Sequence, residues 1–231
     1  MPVLPETRFE DERDGRAGLS TATLKKHLET YIHGIELDAQ AHHACLSNLN
    51  AVASSFSLSK IEWNVKNTNT LDVAEAYAGK MDFVVGNPPY VRVHNLEDSL
   101  SRVKRYRFYS GGMTDLYLVF YEIGLQMLQD GGRLCYIAPS SWLNSLAGHN
   151  MREFAKESGW LREIVDLGHF QPFNATAYKA IVLFEKSAGD TFSYKTSTVY
   201  RTSARQAIPF PKRAPCVKNA DAPGRRVRGS F

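Results

Sequence analysis

Cysteine is scarce in this chain, and its three residues, Cys45, Cys135 and Cys216, lie far apart. An odd, scattered set excludes a disulfide framework and a cysteine metal centre, so no metal ligands are assigned and a reducing cytoplasm is the expected compartment. Long apolar runs are also missing. No stretch approaches the roughly 18–20 residues that a membrane helix needs, and no signal-peptide pattern opens the sequence, so no membrane partner is expected. Acids are nearly absent from the C-terminal end. From Ser187 onward the bases Lys195, Arg201, Arg205, Lys212, Arg213, Lys218, Arg225, Arg226 and Arg228 face only Asp190 and Asp221. A basic tail on a mildly acidic body points to a polyanion, although a solvated terminus would have the same composition.

What the chain does contain is organised around Met81-Asp82-Phe83-Val84-Val85-Gly86-Asn87-Pro88-Pro89-Tyr90. The Phe and Val run reads as a buried strand of a parallel sheet that stops at Gly86. Two prolines in a row fix φ and donate no hydrogen bond, so they hold the backbone carbonyls stiffly. The Asn87 side-chain oxygen and the Pro88 carbonyl then form a pair of fixed acceptors suited to the two hydrogens of an exocyclic NH2 group. Acceptors on both hydrogens localise an aryl amine's lone pair and make it a nucleophile. Tyr90 offers a ring on which a base can stack. A plain strand end with an Asn-Pro turn is the competing reading.

Upstream, residues 19–31 show an amphipathic helix opened by Ser20 or Thr21. A short strand over 32–38 ends in Glu36 and Asp38, and a second helix runs from Ala39 to about Val52. An acid at such a strand end is well placed to accept from both ribose hydroxyls. Residues 61–65 read as another strand, followed by Asn69-Thr70-Leu71-Asp72, where Asp72 reads as a helix cap. Downstream, residues 91–113 interleave Arg92, Arg102, Lys104, Arg105 and Arg107 with Tyr106, Phe108 and Tyr109, a pattern suited to phosphates and bases. A largely buried helix over 114–128 is closed by Asp130-Gly131-Gly132 with a left-handed cap. Then follow a central strand over 133–138, Pro139-Ser140-Ser141-Trp142-Leu143, a helix over 148–158, a strand over 161–167 and a last strand over 177–186.

Gly-Asn-Pro-Pro-Tyr at a strand end resembles the catalytic motif of N6-adenine DNA methyltransferases that use S-adenosyl-L-methionine, a motif shared with enzymes acting on a protein glutamine amide or on RNA. The run Thr-Asp-Leu-Tyr, long helix, Gly-Gly, strand, Pro-Ser-Ser-Trp-Leu is similar to the adenine enzymes of restriction–modification systems, and the cofactor-first motif order matches their gamma group. The resemblance covers about residues 19–186 and implies an α/β fold: a doubly wound, Rossmann-like methyltransferase sheet with a terminal antiparallel hairpin. It also implies site roles. Asn87, Pro88 and Tyr90 are catalytic, Glu36, Asn69 and Asn87 meet the cofactor, and Pro89, Tyr90 and Phe173 hold the target base. Phe170 is the second choice for that last aromatic, and a Phe buried under the hairpin is the competing role. The implied partners are double-stranded DNA with its target adenine flipped out and a restriction or specificity protein.

One family element is missing. Ahead of Glu36 a hydrophobic strand and glycine-rich turn are expected, and only Asp14-Gly15-Arg16-Ala17-Gly18 stands there. This leaves two readings, a piece of a longer methyltransferase or a decayed cofactor pocket. The expected organisation is a degenerate first-motif segment (1–18), a catalytic domain (19–186) and a basic, flexible tail (187–231). The alternative function is a non-catalytic DNA-binding fragment or subunit, or methylation of a protein glutamine or an RNA base.

Overall fold

The computed structural model describes residues 20–95, 100–168 and 178–196. Phe170, Phe173, the Asp14–Gly18 segment and the tail beyond residue 196 lie outside them. The chain divides into two compact units, Met1–Asp72 and Val73–Phe231. No helix among the described residues is long and apolar enough to cross a membrane.

The first unit comprises α1 (Thr21–Tyr31), β1 (His33–Glu36), α2 (Ala39–Ser55) and β2 (Asn64–Asn67), with α3 (Thr70–Val73) at its boundary. Both long helices start where a side-chain oxygen satisfies an orphan backbone amide. Ser20 Oγ accepts from Thr23 N at 3.1 Å, and Asp38 Oδ1 accepts from Ala41 N at 2.7 Å. β1 and β2 pair in parallel from His33↔Asn64 to Glu36↔Asn67, and α2 supplies the crossover that parallel pairing requires. The strand expected over 61–65 begins later. Ile61 packs with Ala53 and Leu58, Trp63 and Leu28 lie against that cluster, and the Trp63 indole donates to Asn50 Oδ1 at 2.9 Å. These two apolar side chains seal the helices, so pairing starts at Asn64.

The second unit holds β3 (Met81–Gly86), α4 (Leu100–Val103), α5 (Leu116–Met127), β4 (Leu128–Pro139), α6 (His149–Ser158), β5 (Leu161–Asp166), β6 (Lys179–Glu185) and β7 (Ser193–Thr196). Its sheet runs β3-β4-β6-β5-β7. β3 lies parallel to β4, while β6 is antiparallel to both β4 and β5. The expected antiparallel hairpin is therefore β5 and β6, with β6 inserted next to β4. The sheet also continues past Lys186, because β7 pairs in parallel with β5.

Register assigns the faces, since directly paired residues share one. On one face Leu134, Tyr136, Ala138, Ala180, Val182, Phe184 and Ile164 form a core with Tyr117, Leu118 and Tyr121 of α5 and Met151 of α6. Val84 packs on that side. Phe83 and Val85 point the other way, opposite Arg133 and Cys135, and are 70% and 77% exposed. The strand expected to be buried at residues 81–86 is thus only half-covered on one face, by Val84 against the core, and open on the other. A run of Phe and Val looks the same in sequence whether one side or both are covered.

The glycine pair after α5 also differs from its expected role. Helix α5 passes directly into β4, and Gly131, at φ 78°, lies inside that strand. Asp82 alone stands between the pairs Met81↔Leu128 and Phe83↔Arg133, so residues 129–132 bulge outward. Gly131 N donates to Lys186 O at 2.9 Å, and Lys186 N donates to Gly132 O at 2.8 Å, which ties the bulge to the end of β6.

Phe184 is fully buried, with its ring centroid 6.1 Å from that of Tyr121. Phe184→Ala is expected to cost about 3–5 kcal/mol in unfolding free energy, from lost transfer energy plus a cavity, as read by urea denaturation.

Candidate active site

Gly86 ends β3 where a Cβ would stand 3.2 Å from the Tyr136 ring, so a larger residue would press on the core just before the loop. Beyond it Asn87 is exposed, Pro88 is buried, and Pro89 and Tyr90 are half-buried. The buried proline anchors the loop and presents the Asn87 carboxamide outward. The Tyr90 hydroxyl lies between two acceptors, Asn87 Oδ1 and the Ile137 carbonyl, the latter at 3.1 Å. Its single proton serves one of them at a time. Burial raises the Tyr90 pKa, so the phenol is held in its protonated, donating form.

Behind this loop stands the Thr-Asp-Leu-Tyr segment. Leu116 N donates to Val91 O at 2.8 Å, Val93 N donates to Thr114 O at 3.0 Å, and Arg92 pairs with Asp115 at 3.0 Å. Burial raises the Asp115 pKa, and the Arg92 charge opposes that shift. The Tyr117 ring meets Tyr90 edge-on at 6.4 Å, and its hydroxyl lies 3.1 Å from Ser141 Oγ in the 3-10 turn Ser140–Leu143. Trp142 of the same turn is fully buried. The two stretches at the start of α5 and the end of β4 thus meet through the Tyr117–Ser141 contact beside Tyr90, so their sequence signature has a packing cause. Sequence reasoning quoted Thr-Asp-Leu-Tyr but gave Tyr117 no role. Its place two residues after Asp115 in that motif was the available signal.

The first unit holds the two other candidate side chains. Glu36 Oε1 accepts from Asp38 N at 2.8 Å, which orients the carboxylate, while Asp38 is committed to capping α2. Glu36 is therefore the acid of the pair left for another ligand. Asn69 Oδ1 accepts from Leu71 N at 3.0 Å, and Asp72 N donates to the Asn69 carbonyl. The local cap is thus Asn69, whose side chain bonds the amide two residues on, and Asp72 lies within the helix.

The aromatic and basic segment after Tyr90 behaves differently from its sequence reading. Tyr106 and Phe108 are buried, at 6% and 1% exposure, and Phe108 packs edge-on against Phe154. Arg105 pairs with Glu75 at 2.9 Å and Arg107 with Glu157 at 2.7 Å. Those two rings belong to the core, and those two charges are balanced by carboxylates. An i, i+2 spacing of aromatics is compatible with either role, and burial decides it.

The strand order, the inserted hairpin and the loop after β3 define an α/β methyltransferase sheet. A putative class I S-adenosylmethionine-dependent methyltransferase from Listeria monocytogenes superposes with a TM-score of 0.58 at 17% identity, over 78% of this chain and 56% of that one. The DrdV–DNA complex gives 0.61 at 17% identity, over 78% and 22%. The Eco57I restriction-modification methylase family matches residues 19–173, and the chain belongs to that family. The Type II methyltransferase M.BstVI of Geobacillus stearothermophilus is 34% identical over 183 residues, 74% of this chain and 32% of that protein. M.XhoI of Xanthomonas vasicola is 37% identical over 123 residues, 52% and 22%. The chain therefore spans about a third or less of these curated relatives.

Burial pushes the Tyr117 phenol up to about 12. The native state then holds this proton at pH values where an unfolded tyrosine, near 10, has lost it. The stability Tyr117 contributes is full below about pH 10 and is lost as pH rises towards 12. Tyr117→Phe is expected to flatten the fall in melting temperature across that window and to remove one late-titrating phenol from the absorbance at 295 nm.

Proposed function

We propose that this chain is the catalytic part of an enzyme that transfers a methyl group from S-adenosyl-L-methionine to N6 of adenine in double-stranded DNA. It would act as the modification component beside a restriction or specificity partner. The observation that carries the reading is the loop after β3, where an exposed carboxamide is followed by a buried proline and accepts from the hydroxyl of a half-buried tyrosine. A carbonyl oxygen has two lone pairs, so Asn87 Oδ1 can accept from Tyr90 and from a substrate amine together. With the Pro88 carbonyl as second acceptor, both amine hydrogens are engaged and the lone pair is turned towards the incoming carbon.

When bound, S-adenosyl-L-methionine supplies an electrophilic methyl group on a sulfonium. The residues present fit its ribose, since the Glu36 carboxylate is oriented by Asp38 N and keeps acceptor capacity for two hydroxyls. The second lone pair of Asn69 Oδ1, beside the bond from Leu71 N, would accept from the cofactor's adenine amine. The target adenine leaves the duplex to reach the loop and stacks on Tyr90, with Pro89 beside it and Phe173 as the second aromatic. Type II methyltransferase relatives and the DNA complex among the structural neighbours support a DNA substrate.

A second reading is a non-catalytic fragment or subunit completed by another polypeptide. The bare apolar side of β3 at Phe83 and Val85 favours it, because parallel strands are ordinarily covered on both faces. Calorimetric titration with the cofactor separates the two. Clear binding to this chain alone rules out the inert fragment.

With labelled S-adenosyl-L-methionine and duplex DNA, label is expected on adenine N6, identified after nuclease digestion. Asn87→Ala should lower the rate by at least about 100-fold. Label in RNA or in a protein glutamine amide instead would sink the DNA assignment.

A further inference from the structure

Lys179 opens β6 and pairs with Pro139, the last residue of β4. Its carbonyl accepts from Leu167 N at 2.9 Å, just past the end of β5, and the neighbouring Tyr178 carbonyl accepts from Ser140 N at 3.0 Å. The Lys179 backbone is thus fixed at the meeting point of three strand ends. The residue is only 1% exposed, and Nζ lies 5.5 Å from the centroid of the Tyr90 ring. Lysine is almost never buried to this degree, because desolvating an ammonium is unfavourable unless the charge meets a compensating partner. The π face of Tyr90 is one such partner at a suitable distance.

We infer that Lys179 is a positioning residue that holds the Tyr90 ring in one orientation. The ammonium fixes the ring plane, the Tyr117 edge limits its sliding, and the hydroxyl is thereby aimed at Asn87 and Ile137. A ring held in this way is both a base-stacking platform and the donor that orients the acceptor amide. Lys179 acts through Tyr90 and does not itself meet the substrate. The effect on turnover rests on the proposed methyl transfer, whereas the effect on Tyr90 does not.

The test uses protein labelled with 3-fluorotyrosine, the Tyr90 line being assigned by its loss in Tyr90→Phe. Lys179→Met keeps the length and removes the charge, and Lys179→Arg keeps a cation. The Met variant should shift the Tyr90 fluorine line and the Arg variant should return it towards its original position, with the line of exposed Tyr31 unmoved in both. In methyl transfer the Met variant should lose about 10- to 100-fold in kcat with KM for S-adenosyl-L-methionine unchanged, and Arg should recover part of that loss. An unmoved Tyr90 line in a folded Met variant overturns the inference. If the Met variant does not fold, the unaltered protein decides. Its Lys179 ε-methylene protons should show a ring-current shift that disappears in Tyr90→Leu, and ordinary shifts in the parent overturn the inference. Intact Tyr90 and Lys179 signals in a protein with no methyl transfer would count against the proposed reaction and not against the positioning role.

Discussion

Strand β4 is hydrogen-bonded on both sides, in parallel to β3 and antiparallel to β6, and this double pairing fixes where three separate loops emerge. Parallel pairing brings the carboxyl end of β3 beside that of β4, so Asn87 to Tyr90 and the Ser140–Leu143 turn share one end of the sheet. Antiparallel pairing brings the start of β6, and hence Lys179, to the same place. The Tyr90 hydroxyl, reaching from the β3 loop to the Ile137 carbonyl of β4, is a side-chain bond that depends on this register. A slip of one residue along β4 would turn every inward side chain outward and separate the three loops.

The clamp behind the loop has the same origin. Thr114 and Leu116 hold Val93 and Val91 through backbone bonds, and the Arg92–Asp115 pair is partly exposed and screened, so the backbone contributes more to its hold. Helix α5 thus begins as a brace for the loop and ends in β4, which positions the loop's other neighbour. The two short motifs lie at the two ends of the continuous α5–β4 segment.

Much of this was legible beforehand, because it depends on local chemistry. Ser20 announced its helix through capping, and the hydrophobic runs of β3, β5 and β6 fell where expected, whereas Asp38 read as a strand-end acid and proved to be the cap of α2. The rigid acceptor loop at Asn87 was readable because Asn-Pro-Pro after a strand restricts the backbone whatever surrounds it. What could not be read were features set by tertiary contacts. Ile61 and Trp63 have strand-like composition but were claimed by the helices beside them. Tyr106 and Phe108 have the residue types of a base-stacking loop but were claimed by the core. Gly131 has the left-handed backbone expected of it, yet it sits in a strand bulge. Lys179 gave no signal, since a lysine beginning a strand is ordinarily exposed.

The uncovered side of β3 also bears on how the chain behaves in solution. Strand edges and bare apolar faces are where chains adhere to one another, and natural proteins blunt them with lysine, proline or a covering helix. β3 carries neither lysine nor proline within Met81–Gly86, and Asp82 is its one charged residue. Among the described residues, its exposed Phe83 and Val85 therefore form the kind of apolar surface through which polypeptides adhere to one another at high concentration.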